Sequence, residues 1–286
     1  MTISIGFVCK KSIVLAADSQ TSYTGSTHKS NQADKLVEFA FFDGYAVSVM
    51  AGGIEYFEMF RELMEIISAK TRIRTERTIP DTVEEAISGL KSKLRKLSLP
   101  EQRNRDRMDR IFEANDFEML VGFFFEGMPK LYYANFEIGR ARKVNDDYKM
   151  IGAPLVLVDY LMDGVEPWKM TNNEGLALAA CLIEVAKDHD SSCGGMTRMA
   201  LIKPESPMIL AQSEIWPFVM AALSFEHKRQ REWFKSIVQE LPPEAINFDW
   251  DVQRITRPRR LFENPSSEPR PSSPKPDPQP PPASPE

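Results

Sequence analysis

Along this chain, segments whose apolar residues have the spacing of β-strands alternate with segments whose apolar residues have the spacing of α-helices. Four strand-length apolar runs come first, at residues 2–9, 12–18, 36–42 and 45–50. Helical spacing follows at 54–69 and 82–97. The order then continues with strands at 117–125, 130–136 and 148–151, helices near 154–163 and at 173–187, and strands at 196–203 and 207–212. This order predicts an α+β fold with two sheets and helices outside both, which is the pattern of a four-layer αββα sandwich.

Short polar signals mark where several of these elements begin or turn. Lys10-Lys11 separates the first two runs, and Asp43-Gly44 predicts a hairpin turn between the next two. Pro80-Asp81 is typical of a helix start. Thr171 and Glu174 form the pattern of a capping box ahead of the very apolar helix at 173–187.

Composition excludes several classes of function. In 286 residues, 42% are apolar, which is enough for a substantial core, and the net charge is −5 without a dominating block, so neither a nucleic acid nor a membrane surface is an expected partner. No run approaches the ~20 apolar residues that span a bilayer, and no secretory signal opens the chain. The three cysteines and three histidines are scattered, so we expect no disulfide framework, no metal site and no cofactor. A soluble cytoplasmic protein is predicted.

The C-terminal quarter differs in composition from the rest of the chain. Residues 216–241 carry many aromatic side chains and are predicted to form one or two helices, whereas ten of the residues 265–286 are proline. A segment so poor in apolar side chains is predicted to be disordered with polyproline II character. Its loose PxxP pattern is compatible with either a ligand motif or a plain flexible tail. We therefore predict a main domain at 1–213, a helical extension at 214–263 and a disordered tail at 264–286.

Three residues near the N-terminus can form one catalytic unit. Removal of Met1 exposes Thr2, Asp18 ends the second apolar run, and Lys35 precedes the third. An N-terminal threonine carries its own base, an α-amine whose ordinary pKa is near ~8. A neighbouring ammonium lowers the pKa of that amine, and a carboxylate holds the ammonium. The alternatives are an ordinary N-terminal strand residue, an aspartate that caps a turn and a solvated surface lysine.

The stretch from Thr2 to about Lys203 resembles the proteasome-type threonine peptidases, as in the proteasome β-subunit and the bacterial HslV protease subunit. The matching segments, in the order of the family, are Thr2-Ile3-Ser4-Ile5-Gly6, Val14-Leu15-Ala16-Ala17-Asp18-Ser19-Gln20, Lys35, Met50-Ala51-Gly52-Gly53, Ile151-Gly152 and Asp190-Ser191-Ser192-Cys193-Gly194-Gly195. Each segment is unspecific by itself, and the ordered set carries the resemblance. It covers roughly two thirds of the chain.

The resemblance implies roles for further residues. Gly52 would supply an oxyanion-hole N–H, because glycine lets the backbone approach a bound peptide closely. Met50 and Ile54 would line an apolar specificity pocket, and Thr21 would hydrogen-bond the substrate backbone. A plain strand-to-helix turn is the alternative for the Gly52 segment.

Two departures from the family pattern bear on proton transfer. A serine that supports the N-terminal amine in proteasome β-subunits is replaced here by Ala153. In the later motif Asp190 is kept, but Cys193 stands where the family has serine. These changes affect the expected activity more than the expected fold.

The predicted function is amide-bond hydrolysis by Thr2, on a peptide or an unfolded protein, within a homo-oligomeric ring. The sequence names no ATPase or adaptor partner. Two alternatives stay open: an amidase or transpeptidase acting on one small substrate, and a catalytically impaired structural subunit, which Ala153 favours.

Overall fold

The computed structural model describes residues 3–22, 29–30, 34–52, 54–98, 117–152, 161–190 and 192–224. The side chains of 21–22, 29–30, 54–56 and 95–98 are not among the described parts. All described residues lie in one compact unit, Met1–Trp233. The predicted tail, the polar segment 100–115 and most of the helix predicted near 154–163 lie outside the described residues.

Among the described residues, the chain is α+β, as predicted. The strands are β1 (Ile3–Cys9), β2 (Ser12–Asp18), β3 (Thr21–Ser22), β4 (Lys29–Ser30), β5 (Leu36–Phe41), β6 (Gly44–Ala51), β7 (Glu118–Phe125), β8 (Met128–Asn135), β9 (Ala141–Lys143), β10 (Tyr148–Gly152), β11 (Thr197–Ile202) and β12 (Pro207–Ile209). The helices are α1 (Ile54–Ser68), α2 (Thr78–Ser98), α3 (Asn172–His189) and α4 (212–224), with a 3₁₀ turn at Pro167–Lys169.

Two five-stranded sheets organise the fold, and every strand pair in them is antiparallel. The first sheet has the order β10-β1-β2-β11-β12, and the second has the order β5-β6-β7-β8-β9. The short strands β3 and β4 pair only with each other among the described strands.

Alternation along the strands divides the apolar core into three clusters. In β2, Val14 and Ala16 join a cluster with α3 and α4, while Ile13, Leu15 and Ala17 join a cluster made of strand residues from both sheets. A third cluster unites the other face of the second sheet with α1 and α2. Because side chains alternate across a strand, each sheet buries both of its faces. Strand β2 is fully buried for that reason.

Local sequence signals predicted some ends of helices and strands correctly and others incorrectly. The capping box at the start of α3 is present, with Thr171 and Glu174 each satisfying the other's backbone N–H. The hairpin turn lies at Phe42-Asp43, one residue earlier than predicted, because Gly44 already pairs with Phe41. Helix α2 begins before Pro80, since a proline is tolerated in the first helical turn, where its missing N–H has no helical partner. Strand β9 was not predicted, and β12 is shorter than its apolar run.

Candidate active site

A buried ion pair joins two of the predicted catalytic residues. The Lys35 ammonium lies 2.7 Å from Oδ1 of Asp18, and the two side chains are 1% and 0% exposed. Asp18 ends β2 in the first sheet, and Lys35 directly precedes β5 in the second. The alternatives of a solvated surface lysine and a simple turn cap are therefore wrong, since the pair connects the two sheets out of contact with solvent.

Backbone N–H groups complete the surroundings of Asp18. The N–H of Ile3 donates to Oδ1 at 3.1 Å, and the N–H of Gly194 donates to Oδ2 at 3.0 Å. A buried carboxylate needs several donors to offset its lost hydration, and these two act together with Lys35. The start of β1 is thereby fixed against the end of β2.

Gln20 is a site residue that the sequence did not identify. Its carbonyl oxygen accepts a short hydrogen bond from the Lys35 ammonium, and its N–H donates to the carbonyl of Gly194 at 3.0 Å. Its side-chain amide donates to the carbonyl of Ser192 at 3.0 Å. A Cβ on Gly194 would lie 2.4 Å from Oε1 of Gln20, so a larger residue at this position would displace the end of the Gln20 side chain. These contacts run through backbone atoms, which explains why residue types did not reveal them.

The surroundings of Lys35 shift the pKa of its ammonium group. Burial lowers the pKa of the Lys35 ammonium from its usual value, and the nearby Lys187 acts in the same direction. The Asp18 carboxylate opposes both effects by its charge and its hydrogen bond. A lysine with a lowered pKa and a fixed counter-ion is the type of group that occurs at catalytic sites.

A second polar cluster lies beside the Lys35–Asp18 pair, because β11 and β2 are paired strands. Thr197 lies opposite Asp18 in the register of β11 and β2, and its hydroxyl donates to the carboxylate of Glu184. The Lys187 ammonium donates to both, at 2.6 Å to Thr197 Oγ1 and 2.8 Å to Glu184 Oε1. This cluster on the last turns of α3 was also absent from the predicted site.

The loop after α3 carries the remaining predicted polar residues. Asp190 caps α3, its carboxylate accepts from the N–H of Ser192 at 2.7 Å, and its carbonyl accepts from the N–H of Cys193. Burial raises the pKa of the Cys193 thiol to about 11, with the charges of Asp18 and Asp190 adding to that effect. Cys193 is consequently a neutral thiol near pH 7, and it lies close enough to interact with the Lys35–Asp18 pair.

The predicted oxyanion and substrate residues lie at the same end of the sheets. Gly52 follows the last residue of β6 with a φ of 130°, a region that favours glycine. Met50 is fully buried in the cluster with α1 and α2. Ile54 begins α1 and Thr21 lies in β3, but their side chains are outside the described parts, as is all of Thr2. The roles of these residues stay predictions.

The chemistry that this site can support is electrostatic and acid–base. A buried ammonium, its carboxylate partner and backbone N–H groups stand next to the first described residue of β1.

Across the described residues no group of three or more metal-ligating side chains occurs. Within the same part of the chain, no helix is both long and apolar enough to cross a membrane.

No protein-family model matches the sequence, and no curated protein matches it at a significant level. Solved structures do match. Anbu (ancestral beta-subunit) from Yersinia bercovieri is 16% identical with a TM-score of 0.62, covering 84% of this chain and 98% of that one. A helical assembly of the Anbu complex from Pseudomonas aeruginosa is 15% identical with a TM-score of 0.63, covering 86% and 100%. Anbu from Hyphomicrobium sp. strain MC1 is 15% identical with a TM-score of 0.59, covering 86% and 99%.

These neighbours correct the family suggested by the sequence motifs. The predicted assignment to the proteasome β-subunits and HslV is wrong, because the similar structures named above are Anbu proteins, which are proteasome-like but form a distinct family. At 15–16% identity the likeness shows the fold.

Proposed function

We propose that this chain is an N-terminal-nucleophile hydrolase that cleaves amide bonds with Thr2 after removal of Met1. One observation carries the proposal: the buried Lys35–Asp18 pair is hydrogen-bonded to the N–H of Ile3, the residue that follows Thr2. The Cα atoms of adjacent residues are about 3.8 Å apart, so Thr2 begins within reach of this pair. Two buried charges of this kind are costly to keep, which favours a catalytic role over a purely stabilising one.

The proposed reaction proceeds in two balanced stages. The Thr2 hydroxyl attacks the substrate carbonyl, and the α-amine of Thr2 accepts the hydroxyl proton, directly or through water. The N–H of Gly52 stabilises the oxyanion, and the amine then returns the proton to the leaving nitrogen as the C–N bond breaks. A water molecule then attacks the resulting ester, the acyl group leaves as a carboxylic acid, and the Thr2 hydroxyl is regenerated. The positive charge of Lys35 lowers the pKa of the amine, which keeps the amine able to accept a proton near neutral pH.

The proposed architecture is a four-layer αββα sandwich, in which each sheet carries its helices on the outer face. The three apolar clusters support it, since one contains strands of both sheets and each of the others combines one sheet with helices.

We also propose the division into a domain at 1–213, a helical extension at 214–263 and a tail at 264–286. Ile215, Val219 and Ala222 of α4 pack in the cluster with α3, so the proposed extension begins on the main domain.

The proposed quaternary state is a homo-oligomer, and the proposed substrate is a peptide or unfolded polypeptide. A structural neighbour is described as a helical assembly, which supports self-association. The proposed substrate contacts are Thr21, Met50 and Ile54. Asp190 and Cys193 are proposed to support the loop that donates to Asp18, because both belong to the hydrogen-bonded turn after α3.

Substrate assays with a Thr2→Ala variant test this function. We expect the wild type to cleave unfolded polypeptide and short peptides with apolar residues before the scissile bond, and Thr2→Ala to lose this cleavage entirely, since the variant lacks the nucleophile. Thr2→Ser, which keeps a hydroxyl and an amine, is the matched control and should retain part of the rate. Cleavage of one short amide but not of polypeptide would favour the amidase alternative. Equal behaviour of the wild type and Thr2→Ala would favour the non-catalytic subunit that Ala153 suggests.

A further inference from the structure

A carboxylate outside the Lys35–Asp18 pair lies at the same end of the two sheets. Glu118 is the first residue of β7, and its side chain is partly buried. Its Oε2 accepts from the N–H of Gly152 at 3.1 Å, and its Oε1 accepts from the hydroxyl of Tyr133 at 2.5 Å. The amide of Asn135 in turn donates to the Tyr133 hydroxyl at 3.3 Å. Two donors from different strands therefore orient one carboxylate toward the space between the sheets.

Strand pairing locates this carboxylate relative to the N-terminus. Ile3 pairs with Gly152 in the first sheet, and Ala51 pairs with Glu118 in the second. Strand β1 packs against β6, β10 against β7 and β2 against β5. The start of β1 consequently has Lys35–Asp18 on its β2 side and Glu118–Tyr133 on its β10 side.

The alternation of side chains supports this placement. Leu120 follows Glu118 by two residues and belongs to the cluster made of strand residues from both sheets, as does Leu131 before Tyr133. Residues two apart on a strand share a face, so Glu118 and Tyr133 face the first sheet. Ala153, the residue after Gly152, offers no hydroxyl to the N-terminus.

We propose that Glu118 is a positioning residue that accepts a hydrogen bond from the α-amine of Thr2, with Tyr133 and the N–H of Gly152 holding it in place. This inference rests on the proposed function, because only a chain without Met1 has that amine. A carboxylate is an acceptor and an ammonium is a donor, so the contact orients the amine and stabilises its charged form. Lys35 acts in the opposite sense on the amine. Together they set the pH at which the amine becomes a base.

The groups around the amine define the expected shift. On the Glu118 side, the described residues contribute Tyr133 from β8 and Lys149 from β10, whose ammonium is 5.3 Å from the Tyr133 ring centre. On the other side lie Asp18 of β2 and Lys35 before β5. Replacing Glu118 by glutamine keeps the size of the side chain and removes one negative charge. The amine should then lose its proton at a lower pH.

Periodate oxidation tests the inference without depending on catalysis. Periodate cleaves the vicinal amino alcohol of an N-terminal threonine, and the reaction requires the unprotonated amine. The pH dependence of the rate, followed by intact mass, therefore reports the amine pKa in the full-length protein. We expect Glu118→Gln to lower the midpoint by about 1 pH unit. Tyr133→Phe, which removes one of the two donors that hold the carboxylate but leaves its charge, should lower the midpoint by less.

A matched control exists on the opposite face of the same sheet. Glu76 accepts from the hydroxyl of Tyr132 at 2.9 Å, and Tyr132 neighbours Tyr133 in β8. Glu76→Gln makes the same chemical change away from the N-terminus and should leave the midpoint where it is in the wild type.

Each outcome decides the inference. Oxidation of Thr2 with one midpoint in the wild type, Glu118→Gln and Glu76→Gln would overturn the role of Glu118 while leaving the proposed nucleophile intact. A chain that retains Met1 and resists periodate would overturn both. If Glu118→Gln does not fold, Tyr133→Phe decides: a lowered midpoint supports the inference, and an unchanged one defeats it.

Discussion

Replacing Asp18 by alanine is expected to lower the free energy of unfolding by roughly 3–5 kcal/mol, because it leaves the buried Lys35 ammonium without its counter-charge. The same change removes the acceptor for the N–H groups of Ile3 and Gly194. A domain is marginally stable, with a total of about 5–15 kcal/mol, so the loss is a large share of that total. Denaturant unfolding at neutral pH, compared through midpoints and slopes, measures it.

An exposed ion pair of equal length is the control for this prediction. Asp81 lies 2.7 Å from Arg77, the same distance as in the Asp18–Lys35 pair, but its side chain is 62% exposed. Asp81→Ala should cost no more than about 1 kcal/mol, because solvent already screens that pair. Adding Lys35→Met to Asp18→Ala should recover part of the loss, since the unpaired charge is then gone. Equal losses from Asp18→Ala and Asp81→Ala would mean that the Asp18 pair is hydrated in solution.

Lys35→Ala is expected to reduce turnover by more than about 100-fold while the oligomer keeps its size. The variant removes the cation that tunes the Thr2 amine, and losing one preorganised electrostatic partner typically costs a factor of about 10²–10³. Lys35→Arg should fail as well, since a planar guanidinium cannot occupy the compact site formed by Asp18 and the Gln20 carbonyl. Peptide cleavage rates, measured with light scattering on the same samples, give both quantities.

The control for the lysine variants is Lys130, which is partly buried and also belongs to an ion pair. Its ammonium lies 2.8 Å from Glu76, on the face of the second sheet that packs against α1 and α2. Lys130→Ala should change stability slightly and leave the cleavage rate unchanged. A Lys35→Ala or Lys35→Arg variant that is as active as Lys130→Ala would show that Lys35 is a structural ion-pair partner only.

The sequence predicted most of the fold because the relevant signals are local. Strands β1 and β2 and helix α3 are marked by apolar runs with clear polar boundaries, and their observed ends lie within about two residues of the predicted ones. Strand β9 spans Ala141–Lys143, which is too short for a period to emerge. The turn at Phe42-Asp43 was misplaced because Gly44, a residue typical of turns, serves there as a close-packed strand residue beside Ile73.

From the sequence, only those parts of the site could be predicted that consist of side chains with a recognisable chemistry. The Lys35–Asp18 pair follows from a lysine and an aspartate that need each other when buried. The Gln20 carbonyl and the Gly194 N–H are backbone groups, which have no residue signature. Glu118 is far from Ile3 in sequence, so only the pairing of β10 with β1 and of β7 with β6 brings it near the start of β1.

The most direct test of Thr2 as the nucleophile is the intact mass of the purified protein before and after treatment with a peptide epoxyketone, which reacts with both the hydroxyl and the amine of an N-terminal threonine. We expect a starting mass without Met1, a gain of one inhibitor equivalent per chain and a modified peptide that begins at Thr2. Thr2→Ala should gain nothing. A starting mass that includes Met1, together with no adduct on the wild type, would contradict the hydrolase function.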